Sequence, residues 1–328
     1  MDSYQSIYNT DIKPGKSKQH YLLHLGLFVI TFITTTFSGI EWINGGKAYY
    51  AIRDLAVGIP YSVSILFILS CHEFGHYFAA RFHKVDATLP YFIPFPSLSG
   101  FLNFGTMGAV IRTKTPVYTK KAMFDIGIAG PLSGFVACII VILYGYTHLP
   151  GINYLLSIHP DYLSPAYGKS GLHLEFGNTL LFSFFKNIFS NGNVFIPPMT
   201  EIYHYPYLCV GWFGLFVTAM NMIPVGQLDG GHIAYTMFGD KKHYIIATIS
   251  LCALFICGVL GLISETLYPM PFGWTGWLVW ALILFFVIKV KHPPINDEEP
   301  IGKGRTILGY ISFVVLFISF TPNPFIIY

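Results

Sequence analysis

Long apolar runs with scarcely a charge in them recur along this chain. They span Tyr21 to about Gly39, Leu55 to Phe82, Met123 to Tyr146, Tyr207 to Ile223 with a continuation from Asp229 to Phe238, Tyr244 to Ile263, Trp274 to Val290 and, shortest, Ile307 to Phe320. Most reach the roughly 17 to 25 residues that a helix needs to cross a bilayer. Hydrocarbon offers backbone amides no partner, so a lipid-exposed run must close its own hydrogen bonds as a helix. Charged residues make up only 11% of the chain and hydrophobic residues 53%, against roughly a quarter charged in soluble domains. The expected class is an all-α polytopic membrane protein with about six to seven transmembrane helices. The first run is too long for a signal peptide and lacks an Ala-x-Ala-like exit, so it reads as a retained span.

Lysine and arginine orient these spans. With residues 1–20 as a cytoplasmic tail, only Lys47, Arg53, Lys169 and Lys186 of the 19 basic residues fall outside, and the other 15 fall on cytoplasmic segments. A bias of that size sets topology. The implied location is a multi-pass protein of the cell membrane.

The second run carries the chemistry. Cys71-His72-Glu73-Phe74-Gly75-His76 places two imidazoles four residues apart, on one face of a helix, with a carboxylate beside them. That pattern is half of a zinc site together with a general base, Glu73. A catalytic zinc takes three protein ligands and leaves the fourth place to water, so one more ligand must come from elsewhere. The best candidate is Asp229 in Asn221-Met-Ile-Pro224-Val-Gly-Gln-Leu-Asp229-Gly230-Gly231-His232, a carboxylate interrupting an apolar run; His232 is the alternative. Ionisable groups inside a span are costly and mark function by default. Under the topology above, His76 and Asp229 approach the cytoplasmic surface at one depth. The expected cofactor is one Zn2+ per chain.

Between the second and third spans, Val85 to Pro116 is too rich in proline and glycine for a helix. Tyr91–Phe95 and Thr106–Arg112 read as short strands joined through Ser97–Gly100, a hairpin dipping into the membrane beside the metal. Its free edge would accept an extended substrate as an added strand. In the third span, Gly130 and Gly134 have the spacing that lets helix backbones approach closely, and Asp125 suits the positive end of that helix. The external loop, about 147–206, is too short for an inserted domain beyond a minimal one; its Leu180–Phe185 stretch suits the interface. The five cysteines form no Cys-x-x-Cys pair, and no nucleotide-binding loop or nucleic-acid patch is present.

The His72–His76 helix, Gly130-Pro131, and Asn221-x-x-Pro224 leading to Leu228-Asp229-Gly230 together resemble the site-2 protease family of intramembrane zinc metalloproteases. The likeness covers roughly residues 55–240. It implies His72, His76 and Asp229 as zinc ligands, Glu73 as catalytic base, and Asn221 as a substrate-holding group. It also implies regulated intramembrane proteolysis, with transmembrane proteins as substrates and the bilayer as setting. The chain then divides into a cytoplasmic tail (1–20), a first helix with an external loop (21–54), a catalytic core (55–240) and C-terminal helices (241–328). It departs from some members in having no room for a PDZ domain in the external loop and no regulatory module at its C-terminus. A metal transporter or a client-binding relative that does not cut is the rival reading; the first has no need of Glu73, and the second would be expected to lack the base or a ligand.

Overall fold

The computed structural model describes residues 20–45, 54–96, 103–168, 174–190, 195–267 and 272–327. The expected tail up to residue 19, the hairpin turn at 97–100, and Lys13, Lys16, Lys18, Lys47, Arg53 and Lys169 lie outside the described residues.

In chain order the elements are α1 (Tyr21–Ile43), α2 (Leu55–Phe82), β1 (Tyr91–Pro94), β2 (Thr106–Val110), α3 (Lys120–Thr147), α4 (Ile152–Ile158), β3 (Leu174–Phe176), α5 (Leu180–Phe189), α6 (Pro206–Met222), α7 (Asp229–Thr266), α8 (Thr275–Ile283), α9 (Lys303–Ser319) and β4 (Phe325–Ile327). Among the described residues, α1, α2, α3 and α7 are long and apolar enough to cross a membrane, while α6 and Thr275–Ile288 are apolar but shorter. Leu22, Ile249 and Phe286 stand exposed on these helices, and Phe317 on α9, as side chains facing lipid do.

Hydroxyls inside the apolar helices are satisfied locally. Thr31, Thr35 and Thr36 donate to carbonyls one turn back at 2.7–2.8 Å, and Thr35 meets Ser62 of α2 at 2.6 Å, a small polar contact of the kind that joins helices in lipid. Pro224 lies just past the end of α6, and α7 restarts at Asp229. Gly239, at φ 78° and ψ 171°, then interrupts α7 in a region open essentially to glycine alone. The interruption falls where the sequence separates the run ending at Phe238 from the one starting at Tyr244.

The two expected strands pair antiparallel, Tyr91 opposite Val110 and Phe92 opposite Ala109, with a register shift before Pro94 and Thr106. This hairpin lies along α1. His24 Nδ1 meets the Pro90 carbonyl at 3.1 Å, Thr34 donates to Gly105, and Ser38 and Trp42 both donate to Asn103. A second small sheet, unannounced by the sequence pattern, pairs β3 with β4. The end of α9 is thereby tied to the loop between α3 and α6, beside a cluster of Trp212, Phe176, Phe213 and Phe325.

At the other end of the bundle Asp125 does more than sit near a helix start. It takes a two-pronged contact from Arg305 of α9, 2.7 Å at each oxygen, and His83 just past α2 approaches at 2.7 Å. One carboxylate therefore ties three helix ends together. Paired Asp125→Asn and Arg305→Gln variants in a double-mutant cycle are expected to show a coupling of about 1–3 kcal/mol, read from unfolding of the purified protein in detergent; additive losses would show that the pair is not coupled.

Candidate metal centre

His72 and His76 lie one turn apart in α2, and Asp229 opens α7, where the helix dipole favours a carboxylate in the first turn. Their ligand atoms converge. The two Nε2 atoms stand 3.1 Å apart, and Asp229 places Oδ2 3.4 Å from His72 and Oδ1 3.4 Å from His76. Atoms bound tetrahedrally at 2.0–2.1 Å from one zinc stand about 3.3–3.4 Å from each other, so the set fits a single ion of that kind. Both histidines and Glu73 are buried, at 6–7% exposure.

The ring of His76 is fixed by its other nitrogen. Nδ1 lies 2.7 Å from the Ile126 carbonyl; a carbonyl only accepts, so Nδ1 carries the proton and Nε2 presents its lone pair to the centre. Glycine makes that approach possible. A Cβ at Gly130 would overlap the His76 ring, and one at Gly134 would come within 3.1 Å of the His72 Cβ. The small-residue face of α3 does let helices approach, as its spacing suggests, and what it admits is the pair of imidazoles. Ser133 adds a bond between the helices, donating to the Cys71 carbonyl at 2.7 Å.

The Ile111 backbone N–H, just past β2, donates to the Glu73 carboxylate. Thr88 N donates to Arg112 O at 2.9 Å, so Arg112 turns its backbone toward the β1 side. By the two-residue alternation of a strand, Ile111 and Ala109 point theirs to the opposite edge. Among the described residues no strand pairs with that edge of β2, which therefore runs beside Glu73.

A family model described as Peptidase family M50 matches residues 60–257. The chain belongs to that family. Among its relatives are "Probable zinc metalloprotease EGY2, chloroplastic" of Oryza sativa subsp. indica, 28% identical over 89% of this chain and 46% of the relative, and "Probable zinc metalloprotease EGY1, chloroplastic" of Oryza sativa subsp. japonica, 30% identical over 80% and 40%. The Arabidopsis thaliana protein of the latter name is 28% identical over 83% and 44%. The chain thus spans about half the length of the curated relatives it matches. No solved structure matches it.

The matched segment of this M50 chain holds all the site residues singled out from sequence. Asn221 lies in the last turn of α6, partly exposed, ahead of the Pro224 turn. His232, the alternative third ligand, is engaged elsewhere: its Nδ1 meets His292 Nε2 at 2.7 Å, and His292 Nδ1 meets the Pro293 carbonyl at 2.6 Å. Counting from that carbonyl, both Nδ1 atoms carry protons and the neutral His232 ring is left with an acceptor at Nε2. This does not suit it to donate to an oxyanion. His292, the Ile126 carbonyl and the Ile111 amide were beyond sequence reasoning, since a backbone group has no residue signature and His292 is 60 positions from its partner. Gly130→Ala is expected to weaken zinc binding at least about tenfold, measured by competition with a chelating dye on folded protein; unchanged affinity would show that α3 yields to the added methyl.

Proposed function

We propose that this chain is a zinc-dependent intramembrane endopeptidase that cuts the transmembrane segments of other proteins, with His72, His76 and Asp229 as ligands, Glu73 as base and Asn221 as a substrate-holding group. The observation that carries this reading is the convergence of the three ligand atoms, 3.1–3.4 Å apart, from two separate helices beside a buried glutamate. The donor set, two imidazoles and a carboxylate, is one that zinc accepts in hydrolytic sites. When bound, zinc would polarise the scissile carbonyl and bring the pKa of its water toward neutrality. Glu73 takes the proton from the attacking water and passes it to the departing amide nitrogen. The Ile111 amide holds that carboxylate in place. Asn221, at the end of α6, orients the chain being cut.

A peptide bond in a helix is shielded by its own hydrogen bonds, so the substrate must unwind. The unpaired edge of β2 offers replacements: Ala109 presents its N–H and carbonyl there, and Ile111 its carbonyl, for an added strand. Substrates are accordingly single-span proteins with Gly, Pro, Asn or Ser near the cytoplasmic third of the span, residues that weaken a helix locally. In this reading the hairpin sits at membrane depth, the chain crosses six or seven times, residues 55–240 form the catalytic core, and the site opens toward the cytoplasm. The chloroplastic location in the relatives' names gives the expected cell membrane no support, so the setting proposed is a bilayer without further address.

Glu73→Gln is expected to lower cleavage of a model substrate by about 10²–10⁴-fold while the purified protein keeps its zinc; His72→Ala, His76→Ala and Asp229→Ala should lose that zinc as well. Metal analysis beside a cleavage assay separates the roles, and full zinc at this centre in Asp229→Ala would remove Asp229 from the ligand set. Ala109→Pro, which deletes one N–H from the open edge, is expected to slow cleavage with zinc retained. Wild-type rates in that variant would rule out strand addition.

A further inference from the structure

A second cluster of ligand-type side chains lies at the far end of the bundle. His159 follows α4, and Glu201 and His204 bracket the 3-10 turn Ile202–His204 that leads into α6. Asp229 follows the opposite end of α6, so 17 residues of helix, about 25 Å at 1.5 Å per residue, separate the two centres. The His159 and His204 Nε2 atoms stand 3.0 Å apart, and Glu201 Oε2 lies 3.5 Å from the second and 3.9 Å from the first. These separations bracket the spacing of about 3.3–3.4 Å expected of atoms around one tetrahedral zinc.

A bond behind His204 selects the tautomer that suits a ligand. His204 Nδ1 lies 2.6 Å from the Ile43 carbonyl at the end of α1, so it carries the proton and Nε2 faces the cluster as a lone pair. Tyr167 donates to Glu201 Oε1 at 3.0 Å, and Tyr154 donates to the His204 carbonyl at 2.7 Å. The carboxylate lies within 4 Å of both imidazole nitrogens. A cation at the centre of the three serves them all. Its way in is past His159, whose side chain is 28% exposed while those of Glu201 and His204 are at 4% and 0%.

We propose that His159, Glu201 and His204 bind one divalent cation of the zinc class, a structural ion that pins α4, the turn before α6 and the end of α1 into one cap. The assignment is independent of the peptidase reading, since it shares no residue with His72, His76 or Asp229. The test uses the full chain in detergent, stripped with a chelator and titrated with Zn2+ alone, with bound zinc counted per chain. Wild type should bind two ions. His159→Ala, at a partly exposed position, and Glu201→Gln should each bind one; Asp229→Ala should also bind one, and Asp229→Ala combined with His159→Ala none. Zinc should raise the melting temperature of Asp229→Ala and leave that of the double variant unchanged. A wild type that binds a single ion, lost in Asp229→Ala and kept in His159→Ala, would overturn the second site. So would a second ion that survives both His159→Ala and Glu201→Gln. A single ion lost in His159→Ala and kept in Asp229→Ala would instead support this site and remove the proposed catalytic one.

Discussion

Ionisable side chains are expensive in an apolar bundle, and this chain gathers four of them, His72, Glu73, His76 and Asp229, at one depth. Much of the surrounding structure can be understood as meeting that cost. Asp229 stands at a helix start where the dipole favours its charge, and its two oxygens each address one imidazole. The Ile126 carbonyl takes the proton of His76 on the side away from the centre. Glu73 receives a backbone amide from beyond β2. A divalent cation is the remaining partner that such a set calls for, and membership of the M50 family agrees with it.

Close approach is the second requirement. Side chains from α2 and α7 reach one point only if α3 lets α2 come within the space of a missing Cβ, which Gly130 and Gly134 provide. The polar contacts between helices serve the same end: Ser133 with the Cys71 carbonyl, Ser62 with Thr35, and Asp125 with Arg305 and His83. In lipid the hydrophobic effect does not press helices together, so packing of small residues and bonds of this kind hold the bundle. The hairpin is fastened to α1 at four positions along that helix, and among the described residues the edge of β2 beside Glu73 pairs with no further strand.

At the opposite end the described residues of the loop between α3 and α6 are tied to their neighbours by specific contacts. The β3–β4 pair draws in the end of α9, Trp212 donates to the Gly177 carbonyl at 2.7 Å, and the His159, Glu201, His204 cluster joins α4 to the entry of α6. The same loop that has no room for a large inserted domain is built as a cap on the bundle.

The sequence by itself determined the class, the main apolar helices and the half-site on α2, because apolar run length and a four-residue spacing are local properties that survive without any fold. It also marked both hairpin strands, the Pro224 break and Asp229 as the preferred third ligand. Only the tertiary structure decided that Asp229 and not His232 meets the two histidines, because residues about 150 positions apart are brought together by packing and not by pattern. The same holds for Asp125, which reads as a helix-start carboxylate until Arg305 and His83 arrive from two other elements. His159 and Glu201 carry no spacing motif at all, and β3 and β4 are three residues each, too short for periodicity to register. What joins them is long-range contact, whose partners are selected by shape and by the satisfaction of buried polar groups, and neither is written in the order of the residues.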